Sequence, residues 1–115
     1  MSMGKRTLRP YQIITNGVMT GTSVITSIAT NILNMDNIGF EIKWTGTPVG
    51  TLVINASGTG VNYYPLPGFS VNSPTGTAGG TFVDIDPTSA LWLQLVYTNS
   101  SSTGVLNAWI FGKAD

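Results

Sequence analysis

The stretch Ile38-Gly39-Phe40-Glu41-Ile42-Lys43-Trp44-Thr45 carries the decisive fold signal in this chain. Ile38, Phe40, Ile42 and Trp44 fall on one side, and Gly39, Glu41, Lys43 and Thr45 on the other. Side chains alternate across a strand, so this period-two pattern of aromatic and β-branched residues predicts a half-buried strand. Thr45-Gly46-Thr47-Pro48-Val49-Gly50 follows, and its Gly and Pro fit a turn. Thr51 to Asn55 then reads as a second strand returning antiparallel to the first.

Working outward, Leu91, Leu93, Leu95 and Tyr97 alternate with Trp92, Gln94, Val96 and Thr98. After the polar run Asn99 to Gly104, Leu106, Ala108 and Ile110 alternate with Val105, Asn107, Trp109 and Phe111. This last strand is apolar on both sides, which predicts cover on both faces, and the pair reads as a β-hairpin. Weaker strand signals lie at Leu8–Thr15, Ser23–Ile28 and Gly80–Ile85. Pro10 cannot donate to a ladder, making the first an edge strand or an extended arm. Thr20–Leu33 has apolar residues at helix-compatible positions, but its Thr, Asn and β-branched content favours strand and loop. The Gly/Ser/Thr/Pro-rich stretches 56–60 and 70–80 read as surface loops. Many short strands without a convincing helix predict a single all-β domain, a β-sandwich or jelly-roll-like barrel. An extended N-terminal arm (1–15) is expected ahead of the sandwich (16–115). Phe40, Ile42, Trp44, Leu52, Ile54, Leu93, Leu95 and Ile110 are the expected core.

Composition narrows the function. The 115 residues include no histidine and no cysteine, and only 9% are charged, against about 25% in an ordinary domain. The commonest general base and the best nucleophile are therefore missing. The three lysines stand in no recognisable motif, and no carboxylate pair suits glycoside hydrolysis. An enzyme is not expected, and no cofactor. Asp84-Ile85-Asp86 offers two carboxylates on one side of a strand end, a weak calcium signal beside the plainer reading of a solvated terminus before Pro87. Thr75 to Gly80 lacks the lysine and following helix of a phosphate loop. With zero net charge there is no basic footprint for specific nucleic-acid binding. No apolar run is long enough for a membrane helix or signal peptide. So little charge suits a subunit covered by partners better than a free monomer.

Two groups of residues stand out as partner-binding candidates. One is the N-terminal arm, with Lys5, Arg6, Leu8, Arg9 and Tyr11, whose cations fit an acidic partner or phosphate, beside the plainer reading of a solvated, mobile terminus. The other is Tyr63, Tyr64 and Phe69 in the aromatic segment Tyr63-Tyr64-Pro65-Leu66-Pro67-Gly68-Phe69. That segment fits a core plug, a protein contact or a sugar-stacking platform.

The run Asp36 to Leu52 resembles a family of small β-sandwich proteins from tailed-bacteriophage structural-gene regions. So do Trp92 to Thr98, Thr103 to Ala108 and the close near Lys113, together with the basic opening Lys5-Arg6-Thr7-Leu8-Arg9. The order of these segments is similar over most of the chain. Where such proteins carry a Ser-Asn-Asp-like turn, this chain has Asn55-Ala56-Ser57-Gly58-Thr59-Gly60. The resemblance implies a virion structural protein made in the host cytoplasm, of the capsid decoration (cement) or minor head type. It also implies contact with the major capsid protein or other virion proteins, and a homo-oligomer. A receptor- or glycan-binding module, with Tyr63, Tyr64 and Trp92 stacking on sugar, is the alternative, as is a tail or neck subunit.

Overall fold

The computed structural model describes residues 7–32, 35, 37–66, 73–85 and 90–113; of Thr7, Leu8, Arg9 and Lys113 it describes the backbone only. The strands are β1 (Thr7–Met19), β2 (Val24–Thr26), β3 (Thr30–Asn31), β4 (Asn37–Gly46) and β5 (Val49–Ser57), then β6 (Tyr64–Pro65), β7 (Gly79–Ile85), β8 (Trp92–Ser101) and β9 (Gly104–Lys113). One sheet, which we call sheet A, runs β1-β9-β4-β7. The other, sheet B, runs β2-β8-β5-β6, with β3 also on β8.

The pairing is nested. β1 pairs with β9, β2 and β3 with β8, β4 with β7, and β5 with β6, all antiparallel. The chain is thus one long hairpin with its tip between β5 and β6. Wrapping it on itself adds the β4–β9 and β5–β8 ladders and closes two facing sheets. This is a jelly roll. No helix occurs among the described residues, and none is long and apolar enough to cross a membrane.

The inward faces form the core. Phe40, Ile42, Trp44, Leu52, Ile54, Leu93, Leu95 and Ile110 are all buried, as their alternation predicts, and Ile38, Val83, Ile85, Tyr97 and Leu106 join them. Residues 7–15 lie within β1, an edge strand paired with β9. Asn107 on β9 stitches the bulged middle of that strand, accepting from Gln12 Nε2 (2.9 Å) and from the Asn16 backbone N–H (2.8 Å).

Two expectations fail in an instructive way. β4 and β5 do not form a hairpin, because β4 lies in sheet A and β5 in sheet B; β8 and β9 are split in the same way. Period-two alternation says which side of a strand is buried but not which strand lies beside it. Both chain crossings occur at one end of the sandwich and brace each other. The Thr47 N–H donates to Thr103 O (3.0 Å), and the Thr47 and Ser102 hydroxyls are 2.7 Å apart. Gly46 and Ser102 take positive φ (85° and 65°) at these corners.

Tyr97 lies fully buried, its hydroxyl donating to Asn99 Oδ1 at 2.7 Å. Burial pushes its pKa up from the ordinary phenol value. As pH rises the unfolded chain releases this proton first. The stability tied to neutral Tyr97 is therefore intact below about pH 10 and is lost as pH climbs through the raised folded value. Denaturant midpoints measured from about pH 8 to about pH 11 should fall, and fall less steeply in Tyr97→Phe.

Candidate functional site

The outer face of sheet A carries an aromatic platform. Because Phe40, Ile42 and Trp44 point inward, Glu41 and Lys43 point out, and the register sets cross-strand rows beside them. One row reads Gln12–Trp109–Glu41–Phe82, the next Phe111–Gly39–Asp84, and on the other side Asn107–Lys43–Gly80. The Phe82 and Phe111 rings lie 5.5 Å apart at 43°, within the range of favourable tilted aromatic pairs. Phe82 remains 61% exposed, and with Phe111 it forms a contiguous apolar patch rather than a lone exposed side chain.

Gly39 is what allows this arrangement. A Cβ there would lie 2.5 Å from the Phe111 ring, so only a residue without a side chain lets that ring lie across β4. The result is a groove of about 290 Å³ between Phe82 and Phe111, with Asp84 and Asn37 at its rim. A second hollow of about 230 Å³ lies between Pro10, Trp109, Phe111 and Glu41. Together these make a grooved aromatic surface with Glu41 between Trp109 and Phe82 and with Lys43 and Asp84 at its margins, an aromatic surface with polar groups of the kind found at protein contacts.

The residues singled out from sequence fall elsewhere and are not brought together. Lys5, Arg6 and Phe69 lie outside the described residues, and of Leu8 and Arg9 only the backbone is described, on β1. Tyr11 is 48% exposed on β1, at the edge of sheet A, while Tyr64 is 68% exposed on β6, at the edge of sheet B. Tyr63 is half-buried, and Leu66 packs against the core. The aromatic segment thus divides, with Leu66 serving as a plug and Tyr64 facing solvent. Tyr64 borders a cleft of about 380 Å³ with Ser57, Thr59 and Asn62. Its floor is a tight turn in which Ser57 Oγ accepts from the Thr59 and Gly60 N–H groups (3.2 and 2.9 Å). Trp92 lies over Gly60, where a Cβ would come within 2.9 Å of its indole nitrogen, so the ring is half-covered.

Asp84 is exposed, Asp86 is outside the described residues, and no group of three potential metal ligands occurs among the described ones. The Phe82–Phe111 platform was not among the sequence candidates. Its signal was the two-sided apolar pattern of β9, which predicts cover for Trp109 and Phe111 without naming what provides it.

Comparison with known proteins gives the fold and little else. No family model matches the chain, and no curated protein does. Among solved structures, a chain of infectious bursal disease virus, Gx strain, superposes with a TM-score of 0.55 at 17% identity, over 98% of this chain and 33% of that one. The Gt strain gives 0.53 at 14% identity, over 96% and 32%. This chain therefore spans about a third of the virus chains it matches. A subunit of the Bacillus endospore appendages, described as disulfide-linked pili, gives 0.50 at 13% identity, over 100% of this chain and 95% of that one. Disulfide linkage has no counterpart here, since this chain has no cysteine.

Proposed function

We propose that this chain is a bacteriophage structural protein, of the capsid decoration or minor head type, that binds neighbouring virion proteins through the outer face of sheet A. The observation that carries the reading is the exposed Phe82 packed on Phe111 above Gly39. A jelly roll shared with virus chains, a charge-poor composition and the absence of histidine and cysteine support it. The sandwich supplies rigidity, so the platform is pre-organised and loses little entropy on docking. Repetition over a symmetric lattice then lets a modest contact hold securely. The cations Lys5, Arg6 and Arg9 would add an electrostatic contact at the start of the chain.

The deciding experiment is electron microscopy of particles with and without the protein, combined with rebinding of purified variants. Phe82→Ser with Trp109→Ala should keep the circular dichroism spectrum of the native domain. Truncating such aromatic anchors costs about 2 kcal/mol or more at an interface, so rebinding should weaken about thirtyfold. Unchanged occupancy would remove the platform from the contact.

The cleft beside Tyr64, with an exposed ring next to Ser57, Thr59 and Asn62, favours the glycan-binding alternative enough to keep it in view. Saturable binding on a glycan array, abolished by Tyr64→Ala and untouched by Phe82→Ser, would establish that reading instead.

A further inference from the structure

Most of the sheet edges in this molecule are guarded, but one is not. β1, at one edge of sheet A, contains Pro10 and is bulged, with register shifts between Leu8 and Tyr11, Gln12 and Ile14, and Ile14 and Gly17. In sheet B, β2 and β3 are only 3 and 2 residues long. The far side of β5 is taken by its own chain: the Leu66 N–H donates to Ile54 O, the Gly50 N–H to Pro74 O, and the Leu52 N–H to Ser73 Oγ. Prolines, bulges, short strands and covering loops are the usual devices that stop sheets joining edge to edge. β7 has none of them. Its 7 residues contain no proline and pair with β4 without a register shift, and no described residue takes its outer edge.

The geometry points to a second copy of this chain as the occupant, with two β7 strands pairing antiparallel about a two-fold axis at Phe82. The outward side chains select this register. On β7 the outward positions are Gly80, Phe82 and Asp84, and their neighbours on β4 are Lys43, Glu41 and Gly39. An antiparallel pair centred on Phe82 sets Phe82 against its own copy and Asp84 of one chain against Gly80 of the other. Beyond that Gly80 stands Lys43. The lysine and the incoming aspartate are then two strand spacings apart, about 10 Å, with no side chain between them. Both side chains can lean over the glycine and meet. The hollow there, lined by Glu41, Lys43, Thr45, Gly80 and Phe82, is open to receive them, with the aspartate meeting Lys43 across Gly80 and Glu41 set beside Phe82. The two-fold makes the pair occur twice, as a self-complementary interface requires. Centring the pair on Val83 instead would set Asp84 against Phe82, with the like-charged Glu41 rather than Lys43 standing beyond it. The chosen register also extends the aromatic platform across the junction, from Phe111 and Phe82 of one copy to those of the other.

This dimer is independent of the virion reading, because it forms from the purified chain alone. Sedimentation velocity on that chain over a range of concentrations should show a monomer–dimer equilibrium. Asp84→Lys and Lys43→Asp, both at exposed positions, should each weaken dimerisation about tenfold or more through two lost attractions and two new repulsions. The double variant, with the charges exchanged, should recover most of that loss. A chain that stays monomeric throughout, a dimer indifferent to Asp84→Lys, a double variant no tighter than the singles, or an open filament would each overturn the assignment. Particle rebinding is measured separately, so its failure leaves the dimer standing, and the reverse also holds.

Discussion

Gly104→Ala is expected to destabilise the domain by about 3 kcal/mol or more, near the upper end of what overpacking costs. A Cβ at this position would overlap the Thr45 carbonyl oxygen and press on the Pro48 ring at 3.0–3.1 Å. The carbonyl belongs to the backbone of β4, which is fixed by its ladder to β9, and Pro48 is itself buried. Neither can move aside without opening the corner where both crossings between the sheets occur. Equilibrium urea denaturation measures the loss. Gly58→Ala is the control: a Cβ there meets nothing within 4 Å, so its effect should stay within about 0.5 kcal/mol. Equal effects at the two sites would mean that the corner is not the tight joint described.

Asn99→Ala should cost about 3 kcal/mol, from several buried groups losing their partner at once. Asn99 is 1% exposed. Its Oδ1 accepts from the Tyr97 hydroxyl, and its Nδ2 donates to Gly21 O (2.9 Å) and Ser102 O (3.1 Å). One side chain thus ties β8 to the turn after β1 and to the crossing before β9. At the size of this domain the loss corresponds to a fall of roughly 10 °C or more in Tm, readable by calorimetry. Because Tyr97 and Asn99 act on each other, Tyr97→Phe with Asn99→Ala should cost less than the sum of the single changes. Strict additivity would mean that the hydroxyl and the amide are each satisfied by water.

Much of the fold was legible. The alternation of Ile38 to Thr45 and of Leu91 to Thr98 identified the strands and the buried side of each, and every core residue expected from it is buried. The short strands β3 and β6 were missed because they span only 2 residues each, too few to show a period. The site was less legible. Tyr63, Tyr64 and the basic opening stand out in a linear reading because they are contiguous. Phe82, Trp109 and Phe111 come from strands distant in sequence and become neighbours only through the β4–β7 and β4–β9 ladders. Gly39 looked like a gap in a polar face, yet it is the position that lets Phe111 lie across the sheet.

The order of apolar and polar residues sufficed for an all-strand chain, for its inward side chains and for chemistry without histidine or thiol, since these follow from side-chain type and from alternation along one strand. Which strand lies beside which did not follow from that order. A hairpin and a crossing between sheets bury the same residues and present the same pattern. The choice between them rests on contacts between distant segments, such as Gly46 against Gly104 and Asn99 against Gly21. Those contacts exist only when the whole chain has closed on itself, and the aromatic platform and the open β7 edge arise with them.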